Sequence, residues 1–416
     1  MRHLPALPLP IAEIQVDTGS FFVIVLVAAV AATTVATVPG RFVPPVVVLE
    51  IFLGIVVGPE VLGLAHDDEF VDFFANLGLG MLFFFAGYEI DFGRIKGKPM
   101  RLGLWGWATS IVIAHAIAFG LMLGNVVDSS MYVGAAIATT AIGTLIPILR
   151  DAGELKSRFG THLLAAGGAG EFGPILLITL FLSTEKIWHE ALILVAFVVL
   201  AIVVALISVQ LAPRGWRVLE RTFEASNQLA VRVTVVLIFG LVFLAGKLGL
   251  DVLLGGFVAG LIVRVALRGQ ELRIFESKLN AVGFGFFIPF FFVVSGIEFD
   301  IDALGSLSAI LKLLLFFSLF LVVRGLPAMI FYRGTFNLRD RGALAFYCAT
   351  ELPLVVAITT IAVELGHMES STAAGLVGAA MLSTLVYPFL GLALRGHFKR
   401  EDDTPAPVVS SEAQGA

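Results

Sequence analysis

The sequence predicts an all-α polytopic membrane protein of about thirteen transmembrane helices in two inverted repeats. Three observations predict it. First, 58% of the 416 residues are hydrophobic and only 14% charged, with a mean hydropathy of +0.98, which no ordinary soluble domain matches. Second, apolar runs of ~20 residues, the length that crosses a bilayer, recur along the whole chain. Third, the runs of the second half echo those of the first.

The spans are expected at 20–39, 43–63, 71–90, 102–124, 130–150, 160–183, 189–211, 229–247, 250–268, 279–297, 307–331, 341–365 and 371–395. The first is not followed by a soluble mature domain, so it reads as a helix and not as a cleaved signal. Lys and Arg collect in every second connection and in the segment after 395, while the remaining connections carry only Arg2, Lys186 and Lys247. That asymmetry places the basic side in the cytoplasm, the N-terminus outside and the C-terminus inside. Arg232, Lys312 and Arg324 stand within or at the ends of spans.

The echo is specific. Span 2 carries Gly54 and Gly58, and span 9 carries Gly256 and Gly260. Span 3 reads "NLGLGMLFFFAGYEID" and span 10 "AVGFGFFIPFFFVVSGIEFD". Both pass through a phenylalanine run to Gly, a spacer and Glu: Gly87–Glu89 and Gly296–Glu298. Partners seven spans apart cross in opposite directions, the arrangement of many secondary transporters. The chain therefore divides into an extracytoplasmic N-terminus (1–19), a first repeat (20–183), a linking helix and loop (184–228), a second repeat (229–395) and a disordered cytoplasmic tail (396–416).

The composition also excludes functions. Cys348 is the single cysteine, so there is no intrachain disulfide and no Cys-based metal cluster. No basic stripe suggests nucleic acid as a partner. No phosphate loop, zinc pattern or nucleophile–base arrangement suggests an enzyme, and no cofactor is expected.

Glu171 is the only acidic residue of span 6. A mid-membrane carboxylate costs several kcal/mol unless it has a use. Spans 5 and 12, partners in the repeat, are each interrupted near the middle. One has Thr139, Thr140, Gly143, Thr144 and Pro147; the other has Thr350, Glu351 and Pro353. Proline removes a backbone donor, and freed backbone groups at this depth are tolerated only in protein or in a wet cavity. At ~1.5 Å per residue, Glu171, Thr139, Thr140, Glu351 and Arg324 all lie roughly 10–17 Å from the basic-side ends of their spans.

Their chemistry suggests roles. Burial favours the neutral form of a carboxylate, so a group such as Glu171 can trade a proton for a cation. Glu171, with the hydroxyls of Thr139 and Thr140 and unwound carbonyls, is the expected site for a monovalent cation or a proton. Arg324 is expected to pair with Glu351, because a buried ion must be paired; snorkelling of Arg324 to the surface is the alternative. Lesser candidates are His115 as a relay or a locally bonded histidine, and Glu50 as a cytoplasmic-side cation attractor. Glu89, Asp91, Glu298 and Asp300 stand at span ends, where charge is ordinary. The phenylalanines at 83–85 and 290–292 should pack helices or face lipid.

These residues resemble the monovalent cation:proton antiporters, in particular the branch of bacterial sodium/proton exchangers and potassium-efflux proteins. The resemblance covers about residues 20–395 and rests on "VPPVVVLEIFLGIVVGPEVLGL", "LGLGMLFFFAGYEID", "ATTAIGTLIPILRDAG", "GFFIPFFFVVSGIEFD" and "TELPLVVAITTIAVELG". It implies a mobile core in which two broken helices cross beside the ion-binding helix. Spans 4–6 and 11–13 would form that core, with spans 3 and 10 near it, and the remaining spans the dimer side of a homodimer. The chain departs from the family in one place. Many members carry Asn-Asp or Gln-Asp on the ion-binding helix, where this sequence has Gly170–Glu171.

With no second carboxylate beside Glu171, the resemblance implies one-for-one exchange of Na⁺ or K⁺ for H⁺. An organic-anion symporter on the same fold, with Arg324 as the substrate-binding cation, and a passive cation channel are the alternatives.

Overall fold

The computed structural model describes residues 17–37, 46–90, 92–181, 192–204, 206–207, 228–248, 250, 252–266 and 272–396. The expected tail beyond 396, all but the end of the expected N-terminal segment, and most of the expected 184–228 link lie outside the described residues.

Every described element is a helix. They are α1 (Thr18–Thr37), α2 (Val46–Val57), α3 (Glu69–Glu89), α4 (Lys98–Leu123), α5a (Ser130–Ala136), α5b (Ile142–Asp151), α6 (Arg158–Phe181) and α7 (Leu192–Val204). Then follow α8 (Leu229–Lys247) and α9 (Val252–Ala266). α10 runs from Leu272–Val282 through a π turn, Gly283–Phe287, into Ile288–Ile297, and α11 from Leu307–Phe320 through a π turn, Leu321–Gly325, into Leu326–Phe331. α12a (Leu338–Cys348), α12b (Pro353–Glu364) and α13 (Ser370–Arg395) complete the chain.

Among the described residues eight helices are long and apolar enough to cross a membrane: α1, α3, α4, α8, α10, α11, the α12 pair and α13. α2, α7 and the apolar part of α9 are shorter.

Side chains fix several helix starts. Asp68 accepts from the N–H groups of Phe70 (3.0 Å) and Val71 (2.7 Å) at the start of α3. Ser306 caps α11 through Ala309 N, and Asn337 caps α12a through Asp340 N. Both π turns are followed two residues later by a proline, Pro289 and Pro327. A proline offers no N–H to the preceding turn, and one widened turn accommodates the gap.

In lipid, apolar burial does not drive helices together; close packing and polar contacts do. α2 packs on α10, and α3 on α9. At the first crossing a Cβ on Gly54 would lie 3.1 Å from the Cα of Gly296, and at the second a Cβ on Gly260 would lie 3.0 Å from the carbonyl carbon of Gly87. The backbones touch because these positions carry no side chain. α4 packs on α6 and α11 on α13. Phe83, Phe84, Phe85, Phe290, Phe291 and Phe292 are all buried between helices and not turned to lipid.

The fifth and twelfth spans are interrupted, as expected. α5a ends at Ala136 and α5b begins at Ile142, while α12a ends at Cys348 and α12b begins at Pro353. Pro353 opens its half-helix, where a missing N–H costs nothing. The other break differs from expectation: it spans 137–141, so Gly143 and Pro147 lie inside α5b. Tertiary hydrogen bonds hold this break open. Thr140 N donates to Gly170 O (3.2 Å) and Ala141 N to Thr350 O (2.8 Å).

Candidate functional site

The two breaks meet. The bond from Ala141 N to Thr350 O joins one extended stretch to the other, and the bond from Thr140 N to Gly170 O ties the first to α6. Four helix ends therefore stop around one point inside the protein. A helix terminus leaves unpaired N–H or C=O groups and a partial charge, positive at the N-terminus and negative at the C-terminus. Buried side chains answer these groups.

Glu171, 2% exposed, answers the start of α5b. Its carboxylate accepts from the backbone N–H groups of Gly143 and Ile142, the first residues of that half-helix. This is the anion site that a helix N-terminus provides. Leu82 of α3 packs against Gly143 at the same point, 3.4 Å from where a Cβ would stand.

Arg324 answers the ends of α12a and a turn of α6. It sits in the π turn of α11 and is 3% exposed. Its Nε donates to Thr140 Oγ1 (2.9 Å) and Cys348 O (3.4 Å), Nη1 to Ser110 Oγ (3.2 Å) and Nη2 to Ala166 O (3.2 Å). The guanidinium thus reaches α4, α5, α6 and α12a together. Nη2 also stands where a Cβ on Gly170 would be, with Thr140 Oγ1 2.8 Å from the same place. The Trp107 indole fills the corresponding notch at Gly173.

Glu351 is fully buried between the halves of α12. Its Oε2 accepts from Thr139 Oγ1 at 3.2 Å, and its Oε1 has no hydrogen-bond partner among the described residues. Its backbone is clamped by α13: Glu351 N donates to Ser383 Oγ (3.0 Å), and Ser383 Oγ and Thr384 Oγ1 can donate to Glu351 O.

The structure brings the expected candidate residues together and connects them differently from expectation. Glu171, Thr139, Thr140, Thr350, Glu351 and Arg324 all converge at the breaks. Arg324 forms no ion pair with Glu351: its donors go to two carbonyls and two hydroxyls, and the link to Glu351 runs through Thr140 and Thr139. The Cys348 and Ala166 carbonyls and the Thr140 and Ser110 hydroxyls supply the guanidinium with acceptors, so it does not need the carboxylate. The Thr139 hydroxyl serves Glu351 and the Ala136 carbonyl, and the Thr140 hydroxyl serves Cys348 O and Arg324. Neither donates to Glu171, whose partners are N–H groups.

Four contributors were missed: Ser110, Ser383, Thr384 and the Ala166 carbonyl. The three hydroxyls could have been found as isolated polar residues inside apolar spans; a carbonyl leaves no mark in a sequence. Among the lesser candidates, His115 Nδ1 lies 3.0 Å from the Ile111 carbonyl of its own helix. Glu50 is buried in α2, with no hydrogen bond among the described residues. The Pro147 side chain lies outside the described part.

A cavity of about 310 Å³ opens between α3 and α10 on one side and α12b on the other. Asp72, Asn76, Ser295, Glu298, Thr360 and Glu364 line its polar wall. A neighbouring cavity of about 290 Å³ shares Ser295, Glu298, Thr360 and Glu364 and adds Asp67 and Asp300. Both lie on the side of the acidic connections.

A fully buried carboxylate on a helix N-terminus, beside two crossed breaks in a polytopic membrane protein, is a transporter's arrangement. The family described as "Sodium/hydrogen exchanger, transmembrane" matches residues 22–392. The chain belongs to this family. It is 26% identical over 383 residues to the putative Na(+)/H(+) antiporter YjbQ of Bacillus subtilis, a match covering 86% of this chain and 60% of that protein. It is 26% identical over 276 residues to the Na(+)/H(+)-K(+) antiporter GerN of Bacillus cereus, covering 63% of this chain and 67% of that one. The sodium proton antiporter MjNhaP1 of Methanocaldococcus jannaschii shares the fold, with a TM-score of 0.60 at 16% identity over 91% of this chain and 99% of that one. Within this family member, Gly170 precedes the buried Glu171 and admits the Arg324 guanidinium.

Proposed function

We propose that the protein exchanges a monovalent cation, Na⁺ or K⁺, for protons across the cell membrane, one for one, by alternating access. The observation that carries this reading is the Glu171 carboxylate on the free N-terminus of α5b. When ionised, it is stabilised by two N–H groups and the half-helix dipole; when protonated, it is an ordinary neutral acid in a buried place. A proton and a cation compete for the same oxygens, which suffices for antiport. Arg324 and Glu351 brace the crossing and are not cargo ligands. Gly170 leaves Glu171 without a second carboxylate on its helix, so no net charge moves per cycle. A membrane voltage, worth about 2.3 kcal/mol per charge per 100 mV, then does no work on the exchange.

The exchange partners of the relatives support the choice of cargo: one is named for Na⁺ and H⁺, the other also for K⁺. The architecture that goes with this reading is thirteen spans in two inverted repeats. The α2–α10 and α3–α9 pairings exchange under such a repeat, and so do α4–α6 and α11–α13; the Gly54–Gly296 and Gly260–Gly87 contacts follow the same exchange. α4–α6 and α11–α13 would move as a core against a dimeric scaffold. The acidic cavities would be the outer access route, with the N-terminus outside and the C-terminus in the cytoplasm.

The test uses proteoliposomes containing a pH dye. Na⁺ or K⁺ gradients should drive proton movement, with the same equilibrium point whether or not a voltage is imposed. A shift of that point with voltage would overturn the one-for-one stoichiometry. Undiminished exchange in Glu171→Gln would overturn the site.

A further inference from the structure

We propose that the basic end of α4, with the start of α6 and the α11–α12a turn, binds the headgroup of an anionic phospholipid. The lipid's acyl chain would lie along the exposed face of α4.

The headgroup site is made by five exposed cations from three separate connections: Arg94, Lys98, Arg101, Arg158 and Arg333. The structure brings them together. Arg94 Nη2 donates to Thr161 Oγ1 (3.2 Å), one turn into α6 from Arg158. Lys98 Nζ reaches the carbonyl of Gly334, next to Arg333 (3.5 Å). The Arg158 guanidinium lies 5.9 Å from the centre of the Phe336 ring in the same turn. Arg101 follows Lys98 by one turn of α4, so the two share a face. None of the five forms an ion pair among the described residues.

Two carboxylates of the same connections are engaged by another residue. Glu154 is held by Arg395 at 2.6 and 2.9 Å, and Asp340 by the same guanidinium at 3.1 Å. Orienting the chain in the membrane requires only that basic residues lie in the right connections. It does not require that they converge and stay uncompensated.

The second half of the site is apolar and begins where the charge ends. Arg101, Trp105, Val112, Phe119 and Leu123 fall on one stripe of α4, spaced by whole turns. Trp105 is 62% exposed, Val112 69%, Phe119 50% and Leu123 68%. An anionic headgroup above and a hydrocarbon chain below is the shape of one molecule, a phospholipid with net negative charge. Arginines suit it because their planar forks grip phosphate oxygens in pairs. Trp105, one turn of α4 beyond Arg101, is the residue type enriched where bilayers meet headgroups.

The experiment uses the full chain in detergent and native mass spectrometry, with phosphatidylglycerol or phosphatidylcholine of the same chain length added. The wild type should retain phosphatidylglycerol and not phosphatidylcholine. Arg101→Gln/Arg158→Gln should retain it at least about tenfold less, given the attraction expected per basic residue at a surface. Arg101→Lys/Arg158→Lys should keep most of the binding, and Trp105→Ala should weaken it. Millimolar glycerol phosphate should not displace the lipid; displacement would mean a free-phosphate site and overturn the proposal. Equal retention of the two lipids, or of phosphatidylglycerol by wild type and the Gln variant, would overturn it too. The wild-type melting temperature gives a second reading that needs no variant. It should rise with phosphatidylglycerol and not with phosphatidylcholine, and an equal response to both counts against the site.

Discussion

Arg324 occupies the space that a side chain at residue 170 would need. The guanidinium reaches the Ala166 carbonyl only because Gly170 has no Cβ. A residue that looks like a gap in α6 is thus the port through which a fixed positive charge enters the candidate site, one residue from Glu171. The missing neighbour of Glu171 and the position of Arg324 are one fact.

Gly170→Ala should therefore be disproportionately harmful for the smallest possible change. Overpacking typically costs about 1–3 kcal/mol, and displacing the guanidinium would strand its acceptors as well. Exchange should fall at least about tenfold with a lowered melting temperature. In a double-mutant cycle with Arg324→Ala, the two losses should be far from additive. Additive losses would show that the contact does not matter.

Glu171→Gln should abolish exchange while leaving the fold nearly intact. The Gln carbonyl oxygen can still accept from Ile142 and Gly143, so the half-helix keeps its cap, but the group no longer titrates. Glu171→Ala should lose the cap too, at about 0.5–2 kcal/mol. Comparing the two melting temperatures separates the capping role from the transport role.

Arg324→Met should be among the most destabilising single changes in the protein. It removes the charged donor shared by the Cys348 and Ala166 carbonyls and the Ser110 and Thr140 hydroxyls. A hydrogen bond to a charged group is worth about 1.5–3 kcal/mol. Arg324→Lys should recover only part of the loss, since one ammonium cannot span four elements. A denaturation series on purified protein measures both.

Glu298 gives a pH dependence outside the spans. Withdrawal from water in the cavity wall, then Asp72, Asp67 and Glu364 nearby, push its carboxyl up to about 7. The folded state then holds this proton more tightly than the unfolded chain does. Stability from this group is full below about 4.5, the ordinary value, and is lost as pH rises through about 7. Glu298→Gln should flatten the fall in melting temperature between those values. An unchanged slope would show that other groups cause it.

The break in α5 shows why part of the site was hidden from sequence reading. Pro353 marks the α12 break correctly, because proline at a helix start is a local preference carried by one residue. Pro147 misleads, because the α5 break is made by Gly170 O and Thr350 O, partners 30 and 209 positions away from the residues they hold. Arg324 misleads for the same reason. The expectation of a buried ion pair is sound electrostatics, but a helix-end carbonyl, a carbonyl of α6 and two hydroxyls accept from the guanidinium instead, and only the crossing brings them within reach.

The sequence by itself determined the class of protein and the two interrupted helices, and it named residues that the structure brings together at the breaks. These follow from hydropathy and from the cost of placing charge or proline in a membrane, which each segment carries alone. The tertiary structure decided which donor meets which acceptor. It gave Glu171 to the start of α5b, Thr139 to Glu351 and Arg324 to the notch at Gly170. The physical reason is that backbone N–H and C=O groups are the same at every residue, and only a fold decides which of them are left free.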